Sequence, residues 1–103
     1  MQKNEYASLS DIVITDDEKY AIGFYYDTQL SDAPIVSIKN NDSNIMELRD
    51  YCKRNNIPVF YIHWLAKYLD NFYELNEILF ELHYTIIAKL YAATPKYAKQ
   101  LKV

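Results

Sequence analysis

The sequence predicts an α/β fold, a small mixed sheet of about four strands with helices packed around it in a single domain. Two observations carry this. Ile12 to Thr15, Ala21 to Tyr26, Ile35 to Ile38 and Val59 to Ile62 are runs of β-branched and aromatic residues of strand length. Between and after them lie stretches whose apolar residues recur at three- and four-residue steps, as they do along one face of a helix.

Residues 1–11 are polar with little periodicity and read as a flexible lead into the first strand. Asp16-Asp17-Glu18-Lys19 breaks the first two apolar runs as a turn would. A polar link, Thr28 to Ala33, precedes Pro34 and the third strand. Asn40-Asn41-Asp42-Ser43 is turn chemistry, and Asn44 with Glu47 has capping-box spacing at a helix start. Ile45, Leu48 and Cys52 give that helix its apolar face. Asn55-Asn56 ends it, because Asn tolerates the left-handed conformation of a C-cap and Pro58 cannot continue a helix. A strand, a helix and the apolar run Val59 to Ile62 in that order imply a crossover and parallel pairing. His63 to Phe72 reads as a short helix. Leu75, Ile78, Leu79, Leu82, Ile86 and Leu90 form the clearest helical stripe, expected to cover the sheet.

Composition narrows the function classes. The chain has 103 residues, half of them hydrophobic, which suits one modest core. A net charge of −3 argues against nucleic acid, whose phosphates need clustered Lys and Arg. Lys96, Lys99 and Lys102 make residues 93–103 a basic C-terminal tail. The single Cys, Cys52, allows no intramolecular disulfide, and its place on an apolar helix face suits a small core residue. No apolar run reaches the roughly 20 residues that span a bilayer, so no membrane insertion by this chain is expected.

The order and spacing of several short segments carry a resemblance. Ile12 to Thr15, the tetrapeptide Asp16 to Lys19, Tyr20 to Asp27, Ala33-Pro34-Ile35-Val36 with Lys39, Ile57-Pro58-Val59 and Leu65-Ala66-Lys67 resemble the cytoplasmic domain of the FlhB/YscU family. These are the export-switch proteins of flagellar and virulence type III secretion systems. The resemblance makes residues 12–92 the export-switch domain. In that family the tetrapeptide is Asn-Pro-Thr-His, and it cleaves itself when the Asn amide attacks its own carbonyl carbon and expels the proline nitrogen. Here Asp16 stands in the Asn position, Asp17 in the Pro position and Lys19 in the His position, so the resemblance implies a loop that stays intact.

The resemblance also implies a partner-binding apolar patch at Ala33, Pro34 and Ile87, with Tyr84 standing where relatives have a small residue. The implied role is a non-enzymatic, cytoplasmic export component, held at the inner membrane through partners and binding secretion-apparatus proteins or export substrates. Residue chemistry alone leaves two rivals, a diverged interaction domain unrelated to secretion and a small hydrolase built on His63 or His83. The two histidines lie twenty residues apart with no Cys or acid at metal-ligand spacing, so no metal is expected. One glycine, Gly23, is too few for a P-loop or a dinucleotide fingerprint, so no cofactor is expected. Asp50, Asp70, Glu74, Glu77 and Glu81 read as solvated helix faces. Eleven tyrosines suit a core edge or a docking surface.

Overall fold

A computed structural model describes residues 1–41 and 44–95. Five strands form one mixed sheet: β1 (Gln2–Lys3), β2 (Ile12–Thr15), β3 (Ala21–Tyr25), β4 (Ile35–Lys39) and β5 (Val59–Tyr61), in the order β1-β4-β3-β2-β5. Among the described residues three α-helices pack on it: α1 (Ile45–Arg54), α2 (His63–Phe72) and α3 (Tyr84–Ala93). The α/β fold expected from the sequence is therefore present.

The β2-β3-β4 meander is antiparallel, and β5 joins parallel to β2. The crossover through α1 thus carries the chain past β3 and β2 to the far edge. Alternation sends Ile12, Ile14, Ile22 and Phe24 to one face, under α2 and α3, and Val36 joins them because a register shift opposite Gly23 and Phe24 separates it from Ile38, two residues on. Val13, Ala21 and Ile38 face the other side, against Leu48 and Cys52 of α1. The result is three layers, with the central strands β2, β3 and β4 buried on both faces. That is why the strands read as unbroken apolar runs. Gly23 lies between Val13 and Ile38, where a Cβ would come within 3.0 Å of the Ile38 Cβ, so close packing requires the glycine.

Two expectations are corrected. Residues 1–11, read as a flexible lead, pack instead: β1 pairs with β4, Ala7 is buried, and the Ser10 and Ser37 hydroxyls share a 2.6 Å hydrogen bond. An open β4 edge gives these polar residues backbone partners that composition does not reveal. Nor does the stripe beginning at Leu75 form one helix. Asn76 has φ 74°, and residues 76–79 run alongside β4. Asn76 N–H donates to Val36 O, Val36 N–H to Glu77 O and Leu79 N–H to Pro34 O, at 2.9, 2.8 and 2.8 Å. Helix α3 begins only at Tyr84.

Candidate functional site

The late start of α3 leaves a groove of about 760 Å³. One wall is a single face of that helix, Tyr84, Ile87, Ala88, Tyr91 and Ala92, at steps of three and four. The other is the chain leaving β3, Tyr25 to Thr28, together with Asp32, Ala33 and Pro34. Leu79 and Asp11 complete the lining. Ala88 and Ala92 leave room that larger side chains would fill.

All three residues of the implied partner-binding patch line this groove. Their exposure differs from a simple contact surface. Ala33 and Ile87 are 3% and 1% exposed and belong to the core beneath α2 and α3, whereas Pro34 is half-buried. Tyr84 is 42% exposed on the rim. Asp11 braces the two walls: its Oδ2 accepts from Tyr26 N–H at 2.7 Å and from the Tyr91 hydroxyl at 2.8 Å. Asp27 Oδ1 accepts from Gln29 N–H, which fixes the turn beyond β3. Sequence reasoning missed Asp11, Asp27, Asp32, Ala88, Tyr91 and Ala92. The helical spacing of residues 84, 87, 88, 91 and 92 was the available signal, masked by the more hydrophobic stripe beginning at Leu75.

The loop Asp16 to Lys19 is highly ordered by its own hydrogen bonds. Asp16 Oδ1 accepts from the N–H groups of Glu18, Lys19 and Tyr20, each at 2.9 Å. Burial raises the Asp16 carboxyl, but these three bonds and nearby His63 outweigh it and hold the group below the usual carboxylate range. Asp17 adopts φ 62°, donates its N–H to Thr15 Oγ1, and accepts from Arg49 Nε and Nη2 at 2.6 Å each. Glu18 and Lys19 are exposed.

The histidines do different work. His63 is exposed, with Nδ1 3.8 Å from Asp16 Oδ2. His83 is buried between two tyrosines, with Nδ1 2.7 Å from the Tyr73 hydroxyl and Nε2 2.8 Å from that of Tyr68. Tyr73 also accepts from Phe80 N–H at 2.9 Å, and a neutral imidazole, with one ring nitrogen donating and the other accepting, can bond both hydroxyls. Burial holds His83 below its ordinary value, favouring this neutral form. Neither histidine lines the groove or the smaller cavity beneath α1. Among the described residues, no group of three His, Cys, Asp or Glu side chains could hold a metal ion.

Asp70 corrects another expectation. It is not on a solvated helix face but 1% exposed, with Oδ2 accepting from Ala21 and Asn41 N–H. Burial pushes its carboxyl up, against these bonds and Lys39. Cys52 is the core residue expected, its thiol pushed up to about 11 by burial. Among the described residues no helix is long and apolar enough to cross a membrane. Lys96, Lys99, Lys102, Asp42 and Ser43 lie outside the described residues.

Known proteins share this architecture. The cytoplasmic domain of FlhB from Shewanella putrefaciens matches 94% of this chain and 74% of its own, with a TM-score of 0.80 and 24% identity. The EscU C-terminal domain carrying an Asn-to-Asp substitution matches 82% of this chain and 78% of its own, with a TM-score of 0.75 and 21% identity. At these identities the likeness establishes the fold. Flagellar biosynthetic protein FlhB of Borreliella burgdorferi is 27% identical over 92 residues, 85% of this chain. This chain spans only 25% of that relative's length. The model of the family described as FlhB HrpN YscU SpaS matches residues 3–94, nearly the whole described chain, and the protein belongs to that family.

Proposed function

We propose that this chain is a non-cleaving FlhB-like component of a flagellar or type III export apparatus, and that its groove receives an apolar segment of an export substrate or apparatus protein. The supporting observation is the convergence of the adjacent Ala33 and Pro34 with Ile87, more than fifty residues away in sequence, on one groove. Ala33 and Ile87 shape its floor, and Pro34, Tyr84 and Ala88 offer contact surface. Its volume falls within the range of roughly 300–1,000 Å³ typical of ligand sites. On this reading residues 12–92 are the export-switch domain and residues 93–103 a basic tail. The protein works in the cytoplasm, at the inner membrane through its partners.

The loop Asp16 to Lys19 supports the non-cleaving part of the proposal. It lacks the amide nucleophile and the Asn-Pro bond, and its acidic side chain is held by three backbone N–H groups. The purified chain should therefore keep its intact mass after days at neutral pH. Fragments ending within residues 16–19 would refute this.

Capture from the organism's own extract tests the docking role. Wild-type bait should retain export-apparatus or exported proteins, identified by mass spectrometry. Ala88→Gln, on the exposed side of α3, should lose them while keeping its melting temperature. A wild type that retains no secretion component would overturn the assignment in favour of an interaction domain unrelated to export.

A further inference from the structure

Among the described residues, the groove combines an apolar floor with a rim whose charged side chains are all acidic. Asp11, Asp27 and Asp32 line it, and no Lys, Arg or His does so among the described residues. Tyr91 and Ala92, in the last turn of α3, form one end, where helix carbonyls add partial negative charge. Low-dielectric walls around like charges concentrate their field in the cleft.

We propose that the groove selects a peptide segment in which an apolar side chain is accompanied, within a few residues, by a lysine or arginine. This deepens the docking role proposed above and rests on it. The apolar side chain would fill the space over Ala33, Leu79 and Ile87, and the cation would lie toward Asp27 and Asp32. Charge complementarity identifies the occupant: an acidic segment would meet repulsion from the rim, while a purely apolar one would leave the rim's field unused. Asp11, bonded to Tyr26 and Tyr91, shapes the wall, so Asp27 and Asp32 are the residues that discriminate.

Panning a random nonapeptide library on the full chain tests this. Selected peptides should share an apolar anchor with a nearby Lys or Arg, and Ala88→Gln should abolish their binding. Asp27→Asn with Asp32→Asn should weaken them about three- to tenfold, as expected for exposed or partly exposed ion pairs, without lowering the melting temperature. Asp32→Lys should shift selection toward acidic peptides. If the peptides need Ala88 but show no basic preference, or the double variant binds basic peptides as well as wild type, the charge inference falls and the docking role survives. If the selected peptides ignore Ala88→Gln, the groove is not the docking site and both readings fall.

Discussion

Lys39 and Asp70 meet inside the protein, Nζ to Oδ1 3.5 Å, with side chains 3% and 0% exposed. The contact joins β4 to α2, and the other Asp70 oxygen holds the amides of Ala21 and Asn41, where β3 begins and β4 has just ended. Removing one partner leaves a buried charge uncompensated. Asp70→Ala or Lys39→Met should each destabilise by about 3–5 kcal/mol in urea unfolding, while replacing both with apolar residues should cost much less. A double-mutant cycle with additive losses would show that the two charges act independently.

Gly23→Ala places a methyl 3.0 Å from the Ile38 Cβ and 3.1 Å from Val13 Cγ2. Both neighbours sit on central strands and have little freedom to yield. A loss of about 1–3 kcal/mol is expected by chemical denaturation. A variant as stable as wild type would mean that the sheet gives way at low cost.

Asp17 has the left-handed backbone that glycine tolerates and proline cannot adopt. Asp17→Gly should leave stability within about 0.5 kcal/mol, whereas Asp17→Pro should cost more than about 2 kcal/mol, because it also removes the N–H bonded to Thr15. Writing Asn-Pro-Thr-His into positions 16–19 therefore requires the turn to rebuild before it could cleave. Thermal unfolding of the two single variants decides whether the geometry is this strict.

His83 makes stability depend on pH. Its folded-state value lies below the ordinary 6.5, so the unfolded chain binds the extra proton first as pH falls. The stability held by the neutral ring is full above 6.5 and lost as pH drops through the folded value. The melting temperature should fall between about pH 7.5 and about pH 5.5, and much less so in His83→Gln. The Asp16 contribution is lost only in a more acid window, below its ordinary 3.8, so the two can be separated. An unchanged slope in His83→Gln would assign the effect to another group.

Ala33→Asp should unfold the domain rather than merely block docking. The side chain is 3% exposed and packed in the core, and an ionised group there would have no designed partner. Loss of the near-ultraviolet circular dichroism signal would show this. A folded, stable variant would place Ala33 at the surface.

The sequence by itself determined the α/β class, four strands close to their observed bounds and the first two helices, because these rest on local periodicity and on turn residues such as Asn44 and Asn55. Asn44 does cap α1, accepting from Met46 N–H at 2.9 Å. The same residues carried the likeness that the family match of residues 3–94 established. Only the tertiary structure decided that residues 1–11 cover one end of the β4 edge and residues 76–79 the other. A strand's need for edge partners leaves no periodic mark in the segments that meet it. Tertiary structure also decided that Asp70 is an interior charge, since a lone carboxylate on a helix reads as solvated until Lys39 arrives from another strand. It brought Ala33, Pro34 and Ile87 together with three carboxylates around one groove, because sites built from distant segments depend on how helices and strands pack.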